Sequence, residues 1–117
     1  MRVLTRFRPA NPHKGRPSPD QMAKMGAFMQ SSIKSGVLIA TGGVTPGPAN
    51  GMKIKLSNGE YNVTTDPASE AQEQQAGGWA ILEVNSPEHL EEVTREFLNA
   101  AGDGDVQVTE ITQMPIP

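Results

Sequence analysis

The chain contains no cysteine. It can therefore form no disulfide, no thiolate nucleophile and no Cys-ligated zinc site. Its two histidines, His13 and His89, lie far apart, and no HExxH or EF-hand pattern is present. The glycine-rich stretch Gly42–Gly51 lacks the spacing of a phosphate loop or a dinucleotide site. We therefore expect no bound metal and no cofactor.

Hydrophobic residues are also few, at 36% of 117 residues, which is low for a domain that must bury its own core. We expect a second copy of the chain to complete part of the apolar surface. The formal net charge of -3 argues against direct binding of nucleic acid or a membrane surface. No apolar run approaches membrane-spanning length. Arg6 and Arg8 interrupt the first ten residues in a way that is atypical of a secretion signal, so we expect a cytoplasmic protein.

Local sequence signals predict four strands, two helices and a hairpin. Alternation predicts strands, serine-proline pairs predict helix starts, glycines predict helix ends, and Asn58-Gly59 predicts a tight hairpin turn. In chain order, the predicted elements are a strand at 2–8, a helix from Ser18 to Gly36, a strand at 37–41, hairpin strands at 52–57 and 60–65, a strand at 78–84, a helix from Ser86 to Gly102 and a strand at 105–111.

This order is β-α-β-β-α-β with an inserted β-hairpin, the ferredoxin-like α+β arrangement, in a single domain covering 1–117. Both helices would cover one face of the sheet, packing the stripe Met22, Met25, Met29 and Ile33 into the core. The other face would carry Arg6, Trp79, Ile81 and Glu83. A bare face with apolar residues is usually covered, so we expect a face-to-face homodimer that forms a dimeric α/β barrel.

A set of short segments in matching order carries a resemblance to a known family. The segments are Lys34-Ser35-Gly36-Val37-Leu38, Gly42-Gly43-Val44-Thr45-Pro46, 53–65, 67–73, Gly77-Gly78-Trp79 and Ser86-Pro87-Glu88. Together they resemble the YCII-related proteins, specifically the branch named for a DGPF tetrapeptide. The resemblance implies a dimeric α/β barrel and, for some members, an association with sigma factors.

The chain departs from the family pattern at several positions. Where the family has Asp-Gly-Pro-Phe, it reads Thr65-Asp66-Pro67-Ala68, and Thr109 stands where the family has an arginine. The acidic positions that follow are present as Glu70 and Glu73. The histidine that other YCII proteins carry near the start of the first helix is absent from 17–20.

Five residues are candidates for a functional site. Asp66 and His13 are the candidate catalytic pair, as a general base and a proton shuttle. Arg6, Glu70 and Trp79 are candidate ligand-binding residues; Arg6 either binds an anion or pairs with Glu83 across the sheet. Because the strands that carry Arg6 and Trp79 are predicted neighbours, their loops should meet at one edge.

Three functions remain open at this point. The first is a homodimer that binds a small, anionic ligand. The second is a cofactor-free enzyme for acid–base chemistry, such as elimination or isomerisation, that uses Asp66 and His13. The third is a regulatory interaction module associated with a sigma factor, which follows from the family resemblance alone.

Overall fold

The computed structural model describes residues 1–11, 17–44, 47–66 and 77–114. Helix α1 spans Pro19–Lys34 and helix α2 spans Pro87–Ala101, and a serine caps each start. The Ser18 hydroxyl accepts a hydrogen bond from the backbone N–H of Gln21 at 3.2 Å. The Gln21 side chain accepts one in return from the backbone N–H of Ser18, which completes the predicted capping box.

Six strands are present, as the sequence predicts. They are β1 (Arg2–Pro9), β2 (Leu38–Gly43), β3 (Met52–Ser57), β4 (Glu60–Thr65), β5 (Gly78–Glu83) and β6 (Gly104–Ile111). Four of them form an antiparallel sheet in the order β2-β5-β1-β6, and β3 and β4 form a separate hairpin. The order confirms the ferredoxin-like α+β fold. The dimeric barrel concerns a second copy and stays a prediction.

The register of β1 decides which side chains face the helices. Val3 lies opposite Leu82 and Thr5 opposite Ala80, and cross-strand partners share a face of the sheet. Val3 and Leu82 are buried together with Val37, Val84 and Val93 in the core beneath α1 and α2. Arg2, Leu4 and Arg6 alternate with these residues and therefore lie on the other side, which we call the helix-free face.

The predicted core stripe of α1 is half wrong. Met25 and Met29 are partly buried, but Met22 and Ile33 are 63% and 61% exposed. The buried side of the helix is centred near Ser32, which also brings Phe28 inward. At about 100° per residue, Met22 and Ile33 lie roughly a quarter-turn or more from that centre, at the solvent margin.

The hairpin matches its predicted bounds at every residue. Asn58 and Gly59 both have positive φ, 51° and 79°, as a two-residue type I′ turn requires. All residues of β3 and β4 are exposed, and neither strand joins the four-stranded sheet. Neither helix in the described ranges is long and apolar enough to span a membrane.

Phe97 links three elements of the core. Its ring centroid lies 5.1 Å from that of Phe7 on β1, edge to face, and 5.8 Å from that of Phe28 on α1. Because both aromatic contacts and the partial burial are lost, we expect Phe97→Ala to lower the free energy of unfolding by about 2–4 kcal/mol. Chemical denaturation measures this.

The exposed Arg95→Ala on the same helix is the control, with an expected change within about 0.5 kcal/mol. A Phe97→Ala protein as stable as this control would contradict the packing described.

Candidate functional site

A cavity of about 260 Å³ lies between the sheet and the two helices. Four of the chain's five aromatic residues line it: Phe7, Phe28, Trp79 and Phe97. Met25 and Met29 add flexible, polarisable side chains from α1. A chain with few aromatic residues thus concentrates most of them around one space.

The cavity lining contains threonines but no charged residue. The Thr5 hydroxyl donates to the Ala80 carbonyl at 3.1 Å, and the Thr41 hydroxyl donates to the Trp79 carbonyl at 2.8 Å. Each of these hydroxyls donates its one hydrogen to a protein carbonyl, so only its oxygen can accept a hydrogen bond from a ligand. These groups therefore offer a ligand weak polar contacts only. The lining therefore suits an uncharged, mainly apolar molecule.

Gly42 permits the position of the Trp79 side chain. The two residues are cross-strand neighbours, and a Cβ on Gly42 would lie 2.7 Å from the indole Nε1. The indole thus packs directly over the Gly42 backbone. The strand predicted at 37–41 ends before Gly42 and Gly43, but the structure places both in β2, where they continue the pairing with β5.

On the helix-free face, Arg2 and Arg8 of β1 pair with carboxylates. Arg2 Nε donates to Glu83 Oε2 at 3.0 Å, and Arg8 lies 3.7 Å from Asp105. The alternative pairing of Arg6 with Glu83 was wrong. The register places Arg6 opposite Trp79, four residues along β5 from Glu83, which is about 13 Å at roughly 3.3 Å per residue.

Asp66 directly follows the hairpin and lies within the described residues. Asp66 is exposed, and its backbone N–H donates to the Gly51 carbonyl at 3.1 Å, which closes the base of the hairpin. His13 and Glu70 lie outside the described residues. The end of β1 and the start of β5 do share one edge, since Phe7 lies opposite Gly78. The convergence of His13 and Asp66 at that edge stays a prediction.

Sequence reasoning found Trp79 but missed the other residues of the cavity. Phe7 alternates with Arg6 along the first strand, so the assignment of Arg6 to the bare face already implied that Phe7 faces the helices. Within the described ranges, no three His, Asp or Glu side chains cluster closely enough to hold a metal ion.

The structure is a ferredoxin-like α+β domain with an apolar cavity between its sheet and its two helices. The YCII-related domain model matches residues 2–115, nearly the whole chain. The chain belongs to the YCII-related family. None of the curated proteins compared with it matches.

The contact between Gly42 and Trp79 generates a prediction. A methyl group at Gly42 would lie 2.7–2.8 Å from three indole atoms, so Gly42→Ala must displace the ring. We expect altered tryptophan fluorescence and near-ultraviolet circular dichroism, and a loss of about 1–3 kcal/mol in unfolding free energy.

Gly43→Ala is a matched control, because its Cβ would meet nothing closer than 3.9 Å. Identical spectra for the two variants would contradict the described position of Trp79.

The Arg2–Glu83 pair generates a second prediction. The hydrogen bond from Arg2 holds the pKa of Glu83 below its ordinary value of 4.5. Ionised Glu83 therefore adds to stability above pH 4.5, and this contribution is lost as the pH falls through the lowered pKa. We expect the stability difference between wild type and Glu83→Gln to be largest above that pH and to shrink in acid.

Exposed Glu110→Gln controls for the loss of one negative charge. Urea denaturation across the pH range measures both variants. A Glu83→Gln difference that does not change with pH would contradict the pairing.

Proposed function

We propose that the protein is a homodimer that binds a small molecule, and that the molecule occupies the cavity beside Trp79. The observation that carries this proposal is the cavity lining, which gathers four aromatic residues and two methionines around about 260 Å³. An apolar cavity of about 150 Å³ accepts benzene. The space therefore suits an uncharged ligand of one or two aromatic rings.

The helix-free face supports the homodimer. Leu4, Trp79 and Ile81 lie there in register, and the two described helices pack on the opposite side of the sheet. A second copy that packs its own helix-free face against this one would bury these residues. The ordered segments from Lys34 to Glu88 support placement in the DGPF branch, with Thr65-Asp66-Pro67-Ala68 as its altered tetrapeptide.

The helix-free face also supports a second candidate site, for an anionic ligand. Arg6 lies between Trp79 and Gln107, its registered neighbours on this face. A carboxylate there would meet a guanidinium beside an aromatic ring. Asp66, His13 and Glu70 are the further proposed members of this site. The enzymatic and sigma-factor alternatives draw support from no described contact.

Titration of the single tryptophan tests where the ligand binds. The probes are 2-naphthol, which is neutral at pH 7, and 2-naphthoate, an anion of similar size. We expect saturable quenching of Trp79 fluorescence by 2-naphthol, because the probe would enter the cavity that Trp79 helps to line. Thr94→Phe, which fills the cavity from α2, should weaken 2-naphthol binding about tenfold or more.

Asn99→Phe on the exposed side of α2 is the matched control and should bind as the wild type does. Equal binding by Thr94→Phe and the control would overturn the cavity as the site. Preference for 2-naphthoate that disappears in Arg6→Gln would instead assign the ligand to the helix-free face.

A further inference from the structure

The hairpin presents a continuous apolar surface. The register pairs Ile54 with Val63 and Leu56 with Tyr61, so these side chains share one face. Met52 extends the same face by alternation. The five side chains are 46–73% exposed. We call this set the apolar hairpin face.

The opposite face of the hairpin is polar and carries all of its charge. Lys53, Lys55 and Glu60 lie there, together with Ser57, Asn62 and Thr64. Burial of the apolar hairpin face would therefore remove no charged group from water. Alternation this strict is typical of a hairpin that is covered on one side.

A cover for the apolar hairpin face does not come from the described elements of the same chain. Neither β3 nor β4 pairs with the four-stranded sheet, and an isolated two-stranded hairpin is only marginally stable in water. The residues outside the described ranges supply only one large aliphatic side chain, Ile116. The apolar hairpin face is therefore exposed to solvent in a single copy of the chain.

We infer that the hairpin is a dimerisation arm, whose apolar face packs against a second copy of this chain. The five side chains offer on the order of 500 Å² of apolar surface, and a stable interface buries about 800 Å² per partner. The apolar hairpin face and the helix-free face would together supply that area. In a two-fold dimer the hairpin of each copy packs against the other copy, so the hairpin contact occurs twice in the interface.

This inference rests on the proposed homodimer, and the experiment separates the two. Sedimentation equilibrium is measured for the wild type, for the double variant Leu56→Ser/Tyr61→Ser, and for Lys53→Ser/Lys55→Ser on the polar face of the same hairpin. We expect a wild-type dimer, a dissociation constant about tenfold or more higher in the apolar-face variant, and no change in the polar-face control. Circular dichroism verifies that each variant is folded.

The outcomes distinguish failure of the dimerisation arm from failure of the homodimer. A dimer that the apolar-face variant leaves unchanged overturns the arm and leaves the homodimer standing, whereas a monomeric wild type at micromolar concentration overturns both. Hydrogen exchange of the wild type above and below its dissociation constant provides a measurement without substitution. Amides of β3 and β4 should be protected only in the dimer, because the isolated hairpin is marginal; protection independent of concentration would overturn the arm.

Discussion

The structure depends on the antiparallel register of β1 between β5 and β6. A shift of one residue would exchange the two faces of the strand, so Val3 and Thr5 would leave the core and Arg2 and Arg6 would enter it. The pattern of β1 resists this shift, because one set of alternating positions is uncharged and the other holds three arginines. Arg2 and Arg8 pair with carboxylates on the neighbouring strands, which adds electrostatic preference for the same register.

This register also separates the two candidate functional surfaces, the cavity on the helix side of the sheet and the helix-free face. On the helix side, Phe7 meets Phe97 edge to face, and the space that remains between these rings and α1 becomes the cavity. On the helix-free side, Arg6 and Trp79 lie opposite one another. Trp79 contributes to both surfaces. It is one of the residues that line the cavity, and its register places it on the helix-free face, where the indole packs over Gly42. Ligand binding and dimerisation would therefore both act on this residue.

Sequence alone predicted the elements that local chemistry controls. The capping box of Ser18 and Gln21 and the turn at Asn58-Gly59 involve neighbouring residues, so their signals are complete within a few positions. The partner of Glu83 is different, because Arg2 and Arg6 both occupy the same face of β1 and only the strand register chooses between them. The alternation of β1 could not settle that choice.

The cavity and the exposed margin of α1 lay beyond sequence reasoning for a related reason. Helical spacing grouped Met22 and Ile33 with Met25 and Met29, but the rotation of α1 against the sheet decides which of them is buried. A cavity is the volume that packing leaves unfilled, and its size depends on how both helices settle on the sheet. The aromatic residues were visible in the sequence, whereas the space between them was not.

We propose that the ligand lies on the helix side of the sheet. Nuclear Overhauser contacts between bound 2-naphthol and assigned methyl groups test it most directly, because the register gives each face its own methyl set. The account predicts contacts to Met25, Met29 and Val106, all of which line the cavity. Contacts to Leu4 and Ile81 on the helix-free face, with none to the cavity methyl groups, would contradict it.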